Sequence, residues 1–330
     1  MSPPYICVLS FSYRSSGHCK RDLCIRHRFF NSGITDVPRR GRTRPRGLRR
    51  RGERWHHVAV THARQHTIQV VAHRGASEDV PEHTLAAYVK AIEDGADALE
   101  CDVRLTADGH LVCVHDRRVN RTSNGRGAVS ALELADLAAL DFGSWRDRGD
   151  STEAPDWSDP EYTSVLTLER LLELVADAGR RVELAIETKH PTRWAGQVEE
   201  RLVRLLRRFN LADPPTPGES AVRIMSFSPR SLIRVAAAVP TVPTVYLAQF
   251  VAPRVREGRL PARARIAGPS IRIIRNHPGY VERLHEAGLQ VHVWTVDAPE
   301  DVELCVRLGV DAIITNRPGQ VLSQLGRAPR

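Results

Sequence analysis

From residue 67 to residue 315 the chain alternates short β-branched runs with amphipathic helical stretches, and this alternation limits the possible folds more than any other feature. Residues 68–73 (IQVVAH) have the pattern of a buried strand closed by Arg74-Gly75. Leu85, Tyr88, Val89 and Ile92 then recur at helical spacing behind Thr84, a capping residue, and Gly95 ends the run. Residues 98–103, 111–115, 181–188, 222–227, 244–248, 290–295 and 312–315 continue the strand series, with a weaker candidate at 272–274. Helices are expected over 131–140, 168–178 and 198–209, from Pro229 after Ser228, and from Pro299 after Asp297. The pattern predicts an α/β fold, a parallel sheet closed as a (β/α)8 TIM barrel, with an open doubly wound sheet as the alternative.

Nine strand candidates exceed the eight places of such a barrel, so one of the late candidates is expected to fail. Residues 104–110 are too few for a helical crossover between the second and third strands. That connection has either lost its helix or forms a hairpin about Asp108-Gly109. Residues 117–166 read as an insertion over one barrel end, within a domain spanning 67–330.

A net charge of +9 suggests nucleic-acid binding until it is divided along the chain. Residues 1–66 hold 14 Arg and Lys20 against Asp22, Asp36 and Glu53, a local charge of +12, which leaves −3 for the remainder. This arm reads as a disordered Arg-rich extension. Its basic residues could serve as a phosphate-binding tail, the basis of a non-catalytic nucleic-acid-binding reading. A secretory signal fits less well, because no basic segment precedes the short apolar stretch 5–11. The favoured reading is a true first residue at Val58 or Val60, since 45 Arg against 3 Lys is the bias of a GC-rich genome. No nucleic-acid partner is expected, and no apolar run is long enough to span a membrane. Six scattered cysteines without a C-x-x-C pair imply neither zinc nor a disulfide scaffold, and therefore a cytoplasmic location. The oligomeric state is left open.

The chemistry is carried by charges placed inside strands. Alternate strand residues share a face, so Glu100 and Asp102 point together while Cys101 and Val103 point the other way. Glu187 repeats the pattern in the fourth strand, where Glu183, Ala185, Glu187 and Lys189 share parity against Val182, Leu184 and Ile186. Three inward carboxylates near strand C-termini suit a hard divalent cation, Mg2+ or Ca2+, or a salt-bridge network with Arg and Lys. His73 ends the first strand and His115 the third, placing two imidazoles where a general acid and base would stand. Lys189 is one of 3 Lys against 45 Arg, which argues for a compact ammonium facing a phosphate or carboxylate. Arg74 could add a planar fork for phosphate oxygens. Cys101, with outward parity, Cys113, with inward parity, and Cys305, on a helix, read as packing residues.

The segments His73-Arg74-Gly75, Pro81-Glu82-His83-Thr84, Glu100-Cys101-Asp102, Thr106-Ala107-Asp108-Gly109, His115-Asp116, Glu187-Thr188-Lys189, Ser226-Phe227, Trp294-Thr295-Val296 and Ile313-Ile314-Thr315-Asn316-Arg317-Pro318 occur in this order. Together, over residues 68–319, they resemble the glycerophosphodiester phosphodiesterase family. The resemblance implies a TIM barrel, one divalent cation, and hydrolysis of glycerophosphodiesters to glycerol 3-phosphate and an alcohol. Carried over residue by residue, it implies Glu100, Asp102 and Glu187 as metal ligands and His73 and His115 as acid and base. Arg74 and Lys189 would contact the phosphate, and Trp294 would line the substrate pocket. In the family the attacking group is thought to be the substrate's glycerol 2-hydroxyl, with water then opening a cyclic phosphate. Lysophospholipase D and phospholipase C relatives share the barrel, but their lipid substrates call for an apolar rim that a chain with 5% aromatic residues is not expected to show. The sequence departs from the family at His83, where Asn is common, and at Asn316, where Asp is frequent.

Overall fold

The computed structural model describes residues 67–146, 159–190, 196–250, 255 and 257–327. The arm and the proposed start sites therefore lie outside the described residues, as does part of the insertion.

Nine strands form one sheet: β1 (Gln69–His73), β2 (Ala98–Leu105), β3 (Leu111–Cys113), β4 (Glu183–Thr188), β5 (Val222–Ser226), β6 (Thr244–Ala248), β7 (Ile266–Pro269), β8 (Gln290–Val293) and β9 (Ala312–Thr315). Because β1 pairs in parallel with both β2 and β9, eight strands close into a barrel. The ninth is β3, which runs antiparallel to β2 with Val103 opposite Cys113. The third strand thus stands outside the barrel, in a hairpin about Asp108-Gly109, and a late candidate fails as well, its place in the barrel taken by a strand that the sequence did not reveal. This also corrects the face of Cys113. Pairing with outward Val103 puts it in the apolar layer that includes Cys101, Leu99 and Leu202, between sheet and helices.

The weak candidate at 272–274 is helical, lying in Ile271–Asn276, and the seventh strand precedes it at Ile266–Pro269. Its Ala-Gly-Pro stretch has low strand propensity, which hid it. At Gly268 a Cβ would stand 2.7 Å from Leu247 Cδ2, so a larger residue there would have to displace that side chain.

Helices lie in the connections between barrel strands, and their starts follow local chemistry. Thr84 Oγ1 accepts from the Ala87 N–H at 3.2 Å to open Leu85–Glu93, and Ser228 caps Pro229–Ala238 from the Ser231 N–H. Pro299 opens Pro299–Leu308 as expected, with Ala298 at the capping position and Asp297 one residue before it. Of the helix expected over 131–140, only Leu134–Ala138 forms, behind a 3-10 turn at Val129–Ala131.

Parity divides the core into layers. Inside the barrel lie Val71, Ala98, Ala185, Met225, Val245, Leu247, Ile266, Ala312 and Ile314. These apolar residues fill the middle of the barrel, while Glu100, Asp102 and Glu187 continue the same faces of their strands toward the C-terminal ends. Between β3 and β4, Val119, Val129, Leu137 and Phe142 pack on Val112 and Val114 as a separate small cluster. Arg146 ties this segment to the loop after β1 by donating to the carbonyls of Ser77 and Val80.

Candidate active site

Three adjacent strands supply the centre of the site. Their register sets His73 beside Glu100 and Asp102 beside Glu187. Glu100, Asp102 and Glu187 are all buried, and one oxygen from each lies within 4.8 Å of the others. Burial and the neighbouring Asp102 push Glu100 well up and Glu187 to about 8. Asp102 goes the other way. Burial opposes its charge, yet the His83 hydrogen bond and the Lys189 and Arg74 cations hold it well below the usual carboxylate range.

The cations stand around this group. Lys189 Nζ lies 2.9 Å from Glu187 Oε1 and 3.3 Å from Asp102 Oδ1. Arg74 sets Nε 3.2 Å from Asp102 Oδ2, donates from Nη1 to Glu82 at 2.9 Å, and donates its backbone N–H to Glu100 at 3.0 Å. Burial works against both charges, but the surrounding carboxylates outweigh it and raise both pKa values.

The two histidines reach the site by different routes. His73 is the last residue of β1, with Nε2 4.0 Å from Glu100 Oε2 and Nδ1 2.7 Å from Asn316 Oδ1. Burial, with Arg74 alongside, lowers its pKa to about 3. His115 lies two residues beyond β3, so it does not end a barrel strand. The hairpin returns the chain along β2, where Val114 N–H donates to the Asp102 carbonyl. Arg104 then grips the His115 carbonyl from Nε at 3.0 Å and Nη2 at 2.7 Å, and Asp116 Oδ1 sits 2.8 Å from its Nδ1. Burial also lowers the His115 pKa.

Several partners had no role assigned to them from the sequence. His83, one of the two family departures, is buried and has φ +62°. Its Nε2 lies 2.9 Å from Asp102 Oδ2 and its Nδ1 2.8 Å from the hydroxyl of Tyr88, which donates to the Glu100 carbonyl at 3.1 Å, and burial lowers its pKa. Glu82 joins Arg74 to Arg121 through a two-pronged contact of 2.7 and 2.8 Å, and Arg121 continues to Asp116 at 2.6 Å. Glu82 and His83 belonged to the quoted Pro81-to-Thr84 segment. Arg104 and Arg121 carried no signal beyond their charge, and Asp297 was read only as the residue ahead of the helix at Pro299.

These groups open on a cavity of about 230 Å³ whose lining includes His73, Arg74, Glu100, His115, Glu187 and Lys189. Met225, Phe227, Leu247, Trp294 and Ile314 complete an apolar wall. Trp294 donates from Nε1 to the Gly268 carbonyl at 2.7 Å and meets Phe227 edge to face at 5.4 Å. Every residue singled out for the site is therefore at this cavity except Asp102, which lies just beneath it. Three aliphatic residues, Met225, Leu247 and Ile314, stand in that wall beside the two aromatic ones, Phe227 and Trp294.

The sequence profile of the glycerophosphoryl diester phosphodiesterase family matches residues 73–320. The chain is 45% identical over 261 residues to Probable glycerophosphodiester phosphodiesterase 1 of Mycobacterium tuberculosis, covering 78% of this chain and 93% of that one. It is 35% identical to a glycerophosphodiester phosphodiesterase of Bacillus subtilis, covering 76% and 84%. The fold is similar to that of an Oleispira antarctica phosphodiesterase solved with the product sn-glycerol-3-phosphate. That match has a TM-score of 0.65 and 23% identity, covering 78% of this chain and 96% of the other.

Proposed function

The chain belongs to the glycerophosphoryl diester phosphodiesterase family and is an enzyme of that class, and from this premise we propose that it hydrolyses glycerophosphodiesters to sn-glycerol 3-phosphate and an alcohol, using one divalent cation and two histidines. The observation that carries the reading is the buried trio Glu100, Asp102 and Glu187, with donor oxygens within 4.8 Å of one another, beside two imidazoles and two cations in one cavity.

The donor set fits a hard cation. It offers carboxylate oxygens without sulfur, and burial would otherwise drive protons onto Glu100 and Glu187. Mg2+ or Ca2+ would be held by these three residues and, when bound, would polarise a phosphoryl oxygen. Arg74 and Lys189 neutralise charge building on the phosphate, and the carboxylates that hold them in place limit their reorganisation. Each histidine has its Nδ1 against an oxygen, which leaves Nε2 as the atom able to exchange a proton with substrate. One histidine takes the proton of the attacking glycerol 2-hydroxyl and the other protonates the departing alkoxide, forming a cyclic phosphate. Water opens that ring with the two roles reversed. Trp294 and its apolar neighbours provide the wall against which the carbon skeleton rests. A cytoplasmic location belongs to the same reading, supported by the free thiols of Cys101, Cys113 and Cys305. Among the described residues no helix is long and apolar enough to cross a membrane.

Phosphorus NMR of the purified protein with glycerophosphocholine and glycerophosphoethanolamine tests this. A phosphomonoester resonance should grow with Mg2+ or Ca2+ and stop growing in excess EDTA. Turnover that persists after dialysis against EDTA would refute the role given to the carboxylates.

A further inference from the structure

The tautomer of His73 depends on a residue that does not touch it. Asn316 Oδ1 stands 2.7 Å from His73 Nδ1, and an amide oxygen can only accept, so in this arrangement Nδ1 carries the hydrogen and Nε2 keeps its lone pair. The two ends of a carboxamide are nearly the same shape, however, and turned by half a revolution Asn316 would offer its NH2 group instead. That would force the hydrogen onto Nε2.

Asp297, in the loop after β8, excludes the turned form. Its Oδ2 accepts from Asn316 Nδ2 at 2.7 Å, while its Oδ1 accepts from the Asn316 backbone N–H at 2.8 Å and from Thr315 Oγ1 at 2.9 Å. A carboxylate cannot donate to an amide oxygen, so the NH2 group must face Asp297 and the carbonyl must face His73. Ser77 Oγ, which donates to the His73 carbonyl at 2.7 Å and lies 2.8 Å from Asn316 Oδ1, can donate or accept and so leaves the choice of orientation to Asp297.

We propose that Asp297 is a positioning residue for the hydrolysis, acting through Asn316 to hold His73 in the tautomer whose Nε2 can accept a proton. The negative charge that Asn316 lacks stands one hydrogen bond further out, on Asp297. The proposal rests on the reading of His73 as one of the two proton carriers.

Two variants and one spectrum test it. Asp297→Asn frees Asn316 to turn, so kcat should fall by at least about 10²-fold, as expected when a general base is misprotonated, while KM changes little. The exchange variant Asp297→Asn with Asn316→Asp restores one carboxylate and one amide. The carboxylate introduced at position 316 would then accept directly from His73 Nδ1, and kcat should recover to within about tenfold of wild type, whereas a purely structural role gives no reason for two changes to act better than one. Nitrogen NMR of the imidazoles should report Nδ1–H at His73 in the wild type and in the exchange variant, and Nε2–H in Asp297→Asn. An Asp297→Asn enzyme with wild-type kcat and an unchanged His73 tautomer would overturn the proposal, as would a folded exchange variant as impaired as the single one. Should Asp297→Asn not fold, the exchange variant decides by its own activity and spectrum. If His73→Ala retained kcat, the catalytic reading of His73 would fail, while the imidazole spectra would still decide whether Asp297 sets its tautomer.

Discussion

Replacing Glu82 with glutamine should cost stability in a way that depends on pH. Glu82 Oε1 accepts from Arg74 Nη1 at 2.9 Å and from Arg121 Nη2 at 2.8 Å, and Oε2 accepts from Arg121 Nη1 at 2.7 Å. Burial opposes its ionisation, yet the Arg121 hydrogen bonds and the Arg74 charge hold its carboxyl at about 2, against an ordinary 4.5. A carboxyl depressed in the native state contributes stability that is fully present above the unfolded pKa and is lost as pH falls through the folded one. At about 1.4 kcal/mol per pH unit the contribution is about 3 kcal/mol at neutral pH. Roughly half of it survives at pH 3, where the unfolded carboxyl is already protonated and the native one still ionised. Arg121 is 43% exposed, so solvent screening removes part of this. Urea denaturation at pH 7 should therefore place Glu82→Gln about 1.5–3 kcal/mol below wild type, with the gap at least halved at pH 3. Activity should fall as well, by roughly tenfold in kcat/KM, because Arg74 loses one of the two carboxylates that aim it. An equal gap at both pH values, or none at pH 7, would show that Glu82 stabilises the loop by packing and not by charge.

Two further outcomes follow from the same geometry. Lys189→Arg should lose most of its activity, with kcat falling more than KM rises and Tm unchanged within a few degrees. The planar guanidinium cannot take the place of an ammonium that lies 2.9 Å from Glu187 and 3.3 Å from Asp102, and wild-type turnover would reduce Lys189 to a general counter-charge. Because burial pushes the carboxyls of both Glu100 and Glu187 up, the latter to about 8, and both must be ionised to hold a cation, Mg2+ binding should release protons and tighten at least about tenfold per unit from pH 6 to 8. Calorimetry in buffers of different ionisation enthalpy counts those protons, and affinity independent of pH would remove Glu100 and Glu187 from the ligand set.

Strand parity was legible in the chain because a strand's alternation is local. Val182, Leu184 and Ile186 mark one face of the fourth strand, so Glu187 and Lys189 had to take the other, and the same rule placed Glu100 with Asp102. The rule failed at Cys113, whose face depends on which strand it pairs with. Val103 lies across a hairpin whose direction the short 104–110 linker left undecided. The seventh strand escaped for a related reason, since Ala267, Gly268 and Pro269 are held in the sheet by their neighbours and not by their own propensity. Ring closure alone brings β1 beside β9, and with it His73 to Asn316, 243 residues away in the chain. The residue types able to do the chemistry are therefore written along the chain at strand ends. For His115 the Nδ1 partner is the next residue, Asp116, but which nitrogen of His73 carries a hydrogen, and which carboxylate is charged, was decided by loops that meet only after the barrel closes, because burial and long-range hydrogen-bond partners are properties of the assembled mouth.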